Sequence, residues 1–263
     1  MKISADCQPF LSGRRFSSHL EVQFDFDGDD RRYRSRVDWL LDICRGKNVL
    51  HVGCVDHDVG SIRHKMLKRK WLHQLLVEVS SCCHGIDLNT AGIEFMRTEL
   101  GYDEVTSANA VGDVPPEILN RNWDVLLLAE VLEHIGNPVE FLTRMHDKYK
   151  HCARELIITV PNAFAFENLR FIRRKKESIN SDHFFWFTPY TLARVVTEAG
   201  MSPGEIIMCR GGVVKPWQLF RNMRLAKNPL LRNNILMRIP LQQSVDQEAC
   251  RSETEREEIR QAA

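Results

Sequence analysis

The sequence predicts an α/β fold, a mostly parallel sheet with helices on both faces, and three observations carry the prediction. Short apolar runs at Asn48–Cys54, His84–Asp87, Trp123–Glu130 and Glu155–Pro161 alternate with segments of helical period. Two of these runs end in residues suited to the carboxyl edge of an open sheet, Gly53 and Asp87. The 263 residues, 43% hydrophobic and 27% charged with a net charge of +1, suffice for one well-cored domain with additions.

The elements follow in order. Residues 1–30 read as a polar N-terminal arm, with the alternating Glu21–Phe26 suited to an edge strand. The main domain is expected over residues 31–212. Tyr33, Val37, Leu40, Leu41 and Ile43 are spaced for a helix beside the sheet, ending near Gly46 before the first strand. After Gly53, an enlarged connection from Asp56 to Lys70 carries Arg63, His64, Lys65, Lys68, Arg69 and Lys70, a solvated helix face or, as the alternative, a contact for an anionic substrate; Trp71, Leu72, Leu75, Leu76 and Val79 then form a core-facing stripe. The second strand ends at Asp87, Thr90 caps the next helix, and Gly101 stops it. Val105–Ala108 is the third strand and Trp123–Glu130 the fourth; Pro138 opens a helix, Glu155–Pro161 is the fifth strand, and Thr188–Pro189 opens a helix that runs to Gly200. Glu205–Cys209 is a late strand.

Residues 213–240 change character. Lys215, Arg221, Arg224, Lys227, Arg232 and Arg238 occur with no acid among them, interleaved with apolar residues. The segment reads as a basic amphipathic appendage, a helix packed on the domain or a surface for peripheral contact with an anionic membrane. Residues 241–263 read as a polar tail. Eight scattered cysteines without a C-x-x-C pair, no signal peptide and no apolar stretch of membrane-spanning length lead to the expectation of reduced thiols in a cytoplasmic protein.

The chemistry starts at Asp87. A Gly-marked turn after one buried strand and a carboxylate at the end of the next is how open sheets hold a ribose, so a ligand with a free cis-diol is expected. A nicotinamide-dependent oxidoreductase would share the acid, yet it calls for G-x-G-x-x-G after the first strand, and Gly53 to His57 lacks it.

Over roughly residues 45–210, the order of motifs resembles the class I S-adenosylmethionine-dependent methyltransferases. Val49–Cys54 is similar to that family's first-strand motif, Gly85–Asn89 to its second, Ala108–Ala110 to its adenine-contacting segment and Glu130–Ile135 to the signature after its fourth strand. Asp182–Pro189 is similar to the branch containing ubiquinone-biosynthesis and sugar O-methyltransferases. The resemblance implies a Rossmann-like sheet of seven strands and S-adenosylmethionine as cofactor, held by Gly53, Cys54, Asp87, Leu88, Asn109, Ala110 and Glu130. The sequence departs from the family at the first loop, where Gly53 is followed by Cys54, Val55, Asp56 and His57 rather than further glycines.

His183 is the leading candidate for a general base, because neutral imidazole accepts a proton near neutral pH; His134 is second, and Glu130 lies at the carboxyl end of its strand. Glu130, Glu133 and His134 also resemble a segment that holds a divalent metal in ubiquinone-pathway and small-RNA 2′-O-methyltransferases, but a Glu–His pair at a helix start is equally a cap and dipole partner, and no residue is assigned to a metal. The expected reaction is methyl transfer to an oxygen, less favourably a nitrogen, of a small-molecule, glycan or lipid-linked acceptor. RNA 2′-O-methylation and a non-catalytic binding subunit are the alternatives; the balanced charge speaks against nucleic acid as partner. Oligomeric state is not legible.

Overall fold

The computed structural model describes residues 1–26, 33–211 and 216–242. The N-terminal arm is tied down. Its strands β1 (Lys2–Ile3) and β2 (Phe24–Asp25) pair antiparallel around helix α1 (Gln8–Leu11), whose Leu11 is buried. The Met1 ammonium donates to the carbonyl of Ile206 at 2.7 Å, so the arm is anchored at the far edge of the main sheet.

Helix α2 (Arg36–Cys44) starts on a capping box: Ser35 Oγ accepts from Asp38 N–H and the Asp38 carboxylate accepts from Ser35 N–H, both at 3.1 Å. Strand β3 (Asn48–Val52) follows, and the enlarged connection folds as two helices, α3 (Val59–Leu67) and α4 (Leu72–Val79). Next come β4 (Cys82–Asp87), α5 (Thr90–Thr98) and β5 (Val105–Ser107). The cap of α5 is Asn89, whose side chain accepts from Gly92 N–H at 2.9 Å, and Thr90 is its first residue, so the helix starts one place earlier than the sequence suggests. The rest comprises α6 (Pro116–Leu119), β6 (Trp123–Ala129), α7 (Pro138–Tyr149), β7 (Ala153–Pro161), α8 (Phe166–Ile172), α9 (Pro189–Glu198), β8 (Ile206–Cys209), α10 (Leu219–Lys227) and β9 (Asn234–Pro240).

Seven strands form one sheet in the order β5-β4-β3-β6-β7-β9-β8. All neighbouring pairs from β5 to β7 are parallel, and β9 runs antiparallel to both of its neighbours. The expected mostly parallel seven-stranded sheet with helices on both faces is therefore present. Alternation along each strand splits the core: Leu50, Val52, Leu126, Leu128 and Leu156 face the layer of α7 and α9, while Val49, Val125, Leu127 and Ile157 face α2 and α4.

The segment expected as a basic appendage is a correction. Residues 234–240 are the interior strand β9, with Ile235, Leu236, Met237 and Ile239 fully buried. Two of its cations are structural: Arg232 is buried and donates to the carbonyls of Leu225 and Met208, and Arg238 pairs with Glu155 and Glu205. A count of charges cannot tell a solvated arginine from one spent inside the fold. The main domain thus extends to Pro240 rather than 212, while Lys215 and most of the polar tail lie outside the described residues.

Strand order reverses beside β3, because β4 and β5 build outward on one side and β6 and β7 on the other. In an open α/β sheet the crevice beyond the carboxyl ends at that reversal is where ligands bind.

Candidate functional site

A cleft of about 740 Å³ opens at this place. The structure brings every residue named from the sequence to its wall: Gly53, Cys54, Asp87, Leu88, Asn109, Ala110, Glu130, His134 and His183.

Each is set by local geometry. Gly53 has φ +79°, a left-handed conformation that glycine adopts without strain, and a Cβ there would stand 2.7 Å from Val131 Cγ2. Its N–H donates to the Ile86 carbonyl at 2.8 Å, joining the first turn to the second strand. Cys54 presents backbone rather than thiol: the side chain is buried, burial raises its pKa well above the ordinary thiol value, and its carbonyl accepts from Trp71 Nε1 at 3.1 Å.

Asp87 is half-buried at the end of β4. Oδ2 accepts from Val55 N–H at 2.8 Å and Oδ1 from Asn89 N–H at 2.9 Å. Burial raises its pKa, against these hydrogen bonds, which lower it. Each oxygen retains a lone pair for a ligand hydroxyl. Leu88 next to it is 72% exposed, an apolar side chain at the rim. Across the cleft, Ala110 is buried and its carbonyl accepts from Tyr149 OH at 3.0 Å; Asn109 Oδ1 accepts from Val111 N–H at 3.1 Å.

Glu130 adopts φ +58°, an uncommon left-handed backbone for a residue with a side chain. The strain is held by partners: Thr159 Oγ1 donates to Oε1 at 3.1 Å, Asn234 Nδ2 approaches both carboxylate oxygens at 3.2 Å, and Arg36 Nη1 lies 3.9 Å away. Glu130 consequently turns toward Thr159 and Asn234. Glu133, His134 and His183 converge instead, with one potential ligand atom from each within 4.8 Å of the others. The group gathered by the fold therefore includes His183 in place of Glu130.

That trio is electrostatically unusual. Glu133 is fully buried and neither carboxylate oxygen has a hydrogen-bond partner among the described residues. Burial first, and the charge of Glu130 second, push its carboxyl up to about 8. His183 Nε2 stands 4.0 Å from Glu133 Oε1, His183 Nδ1 is buried without a hydrogen-bond partner among the described residues, and the His183 and His134 rings meet edge-on at 4.6 Å. Burial, aided by His134, lowers the His183 pKa. The segment carrying His183 is fastened to the cleft by Phe184 N–H, which donates to the Glu133 carbonyl at 2.9 Å.

Sequence reasoning missed Arg36, Val55, Asp56, His57 and Asn89 on the cleft wall, and Asn234 behind Glu130; of the insertion's basic residues, Lys65 reaches the wall. Arg36 and Asn234 come from elements distant in the chain and carry no local signal. Asn89 stands two residues after Asp87 and was legible as an Asx residue at a helix start.

Residues 26–203 match the family model described as "Methyltransferase domain". The chain belongs to the class I S-adenosylmethionine-dependent methyltransferases. Among curated relatives, this methyltransferase is 24% identical over 158 residues to the mitochondrial ubiquinone biosynthesis O-methyltransferase of Schizosaccharomyces pombe, covering 55% of this chain and 53% of that protein. It is 24% identical over 181 residues to the ubiquinone biosynthesis O-methyltransferase of Aeromonas salmonicida, covering 63% and 68%. The match thus spans about half the length of the yeast relative. In fold, the methyltransferase resembles the crystal structure of the small RNA methyltransferase HEN1 (TM-score 0.52, 16% identity, 88% of this chain and 28% of that one). It also resembles the complex between the Haloferax volcanii Trm112 methyltransferase activator and a methyltransferase (TM-score 0.51, 12% identity, 82% and 93%).

S-adenosylmethionine is the cofactor of this family, and the methyltransferase cleft fits it. A carboxylate with free lone pairs sits at the end of the second strand, a side-chain-free turn at Gly53 lies beside it, and an apolar rim follows. No helix among the described residues is long and apolar enough to cross a membrane.

Proposed function

We propose that this methyltransferase transfers the methyl group of S-adenosylmethionine to a hydroxyl oxygen of a small-molecule, glycan or lipid-linked acceptor. The observation that carries the reading is His183, an imidazole held neutral by burial on the wall of the cleft that the cofactor fits. Relatives named as O-methyltransferases support transfer to oxygen.

When bound, S-adenosylmethionine supplies a methyl group already activated on a sulfonium, so alignment and water exclusion dominate over dedicated catalytic groups. Asp87 accepts hydrogen bonds from the ribose hydroxyls. Leu88, Asn109 and Ala110 frame the adenine, and the backbone of Gly53 and Cys54 lies against the amino-acid end. Glu130, fixed by Thr159 and Asn234 on the cleft wall, would pair with the ammonium of that end. With the cofactor bound, His183 would take the proton of the acceptor hydroxyl, freeing that oxygen to receive the methyl group, and S-adenosylhomocysteine would be the other product. His134, edge-on to His183, orients that ring.

A second reading rests on Glu133. Its buried, unpartnered oxygens beside two imidazoles form a donor set suited to a divalent cation. Such a cation, held by Glu133, His134 and His183, would acidify the acceptor hydroxyl.

The test is transfer of radiolabelled methyl from S-adenosylmethionine to pools of phenols, glycans and lipid-linked sugars, before and after chelation, with structured small RNAs as a further pool. Incorporation that survives chelator and is lost in His183→Ala supports the base; loss on chelation with recovery on divalent metal supports the cation. Incorporation into RNA alone overturns the acceptor class. A folded protein that fails to bind S-adenosylhomocysteine overturns catalysis altogether.

A further inference from the structure

Helices α8 and α10 lie side by side, joined by the Arg221–Glu167 ion pair at 2.9 Å and by the Arg224 guanidinium over the Phe166 ring at 5.5 Å. Both present apolar side chains to the outside, α10 in addition to its buried Leu225. On α10, Leu219, Phe220 and Met223 are 59%, 88% and 48% exposed; on α8, Leu169 and Ile172 are 41% and 64% exposed. Large apolar residues that cluster on a surface mark an interaction site.

The chain leaving α8 adds charge to this face. Arg173, Arg174, Lys175 and Lys176 are consecutive, exposed and without an acidic partner among the described residues. Their arrangement is built. Lys175 N–H donates to the Ile172 carbonyl and Lys176 N–H to the Phe171 carbonyl, the paired bonds of a Schellman turn, with Lys175 at φ +54° where glycine is usual. A lysine kept in a left-handed conformation is a strained cation, and such strain persists where surrounding structure fixes it. The same segment continues into the site: Ile179 is exposed, Asn180, Asp182 and His183 line the cleft, and Phe184 beyond them is 68% exposed.

We propose that this face docks on an anionic phospholipid membrane, with the mouth of the cleft beside the lipid. Cations backed by long aliphatic stems and flanked by aliphatic and aromatic side chains match the headgroup and acyl layers of such a surface. The aliphatic content decides against nucleic acid, since Leu169, Ile172, Leu219 and Met223 offer neither phosphate contacts nor base-stacking planes. Arg221, Arg232 and Arg238 are excluded from the charge count because they are spent on internal partners. The inference holds whichever acceptor the site uses.

Vesicle co-sedimentation of the full chain tests it, with phosphatidylcholine vesicles prepared with and without phosphatidylglycerol. Binding is expected with phosphatidylglycerol and not without it. Replacing Arg173, Arg174, Lys175 and Lys176 together by Glu should lower partitioning by at least about a hundredfold. Phe220→Ser with Ile172→Ser should lower it by at least about tenfold. All six positions are exposed, and unchanged S-adenosylhomocysteine binding reports that each variant is folded. Equal binding of wild type and the charge-reversed variant, no binding to anionic vesicles, or displacement by single-stranded RNA with no effect of the two serines would each overturn the proposal.

Discussion

His51 and His73 face each other through their Nδ1 atoms at 3.2 Å, their rings stacked beneath the cleft and both buried. One Nδ1 carries the proton that the other accepts, so both rings are neutral. Burial pushes His73 down to about 3 and holds His51 well below its ordinary value near 6.5. In the unfolded chain both take up a proton below about 6.5, and in the folded chain they do not; their stability contribution is full above that pH and is lost as pH falls toward 3. Urea unfolding between pH 7.5 and 5 should therefore lose up to about 1.4 kcal/mol per pH unit for each ring. His73→Leu should lose up to about 1.4 kcal/mol per pH unit less than the wild type below pH 6.5, and equal slopes would refute the assignment.

Asp87→Asn should weaken S-adenosylhomocysteine binding by about tenfold to a hundredfold, the worth of one charge-assisted hydrogen bond. Because burial raises the Asp87 pKa, wild-type affinity should fall on acidification at a higher pH than an exposed aspartate would give. Calorimetric titration across pH checks both, and affinity that is flat with pH in the wild type would sink the ribose role.

Gly53→Ala should cost about 1–2 kcal/mol for the left-handed backbone alone, and more for the 2.7 Å approach to Val131 Cγ2. Adding Val131→Ala should recover the contact but leave the backbone cost. Thermal melts of the two variants separate these contributions; complete rescue by the second substitution would show that the positive φ carries no penalty.

Asn234→Ala removes the donor that spans both oxygens of Glu130. We expect about a tenfold loss in kcat/KM for S-adenosylmethionine, expressed in KM if Glu130 binds the ammonium. The melting temperature should move little, since the strand's apolar contacts stay. A change confined to stability would make Asn234 a structural residue only.

The strands and much of the cleft wall were legible because their signals are local. Apolar runs with Gly or Asp at their ends mark parallel strands, and Thr188 with Pro189 gives a true capping box and first-turn proline. What escaped depends on partners far away in the chain. The segment that ends in β9 reads as basic because Arg232 and Arg238 find their carbonyls and acids only after folding. α8 closes on a lysine where glycine would have flagged the end. Arg36 and Asn234 reach Glu130 from opposite ends of the domain, across separations that no periodicity spans.

Strand β9 also sets a timetable. The ribosome delivers β3 to β8 first, and until residue 240 has emerged the sheet has a gap between β7 and β8, Glu130 lacks Asn234, and the left-handed turn at Glu130 is missing one of its supports. A nascent chain halted near residue 212 would expose two unpaired strand edges to its neighbours. Completion of the cleft end of the molecule therefore waits for β9, whose single insertion closes the sheet and brings Asn234 to Glu130 together.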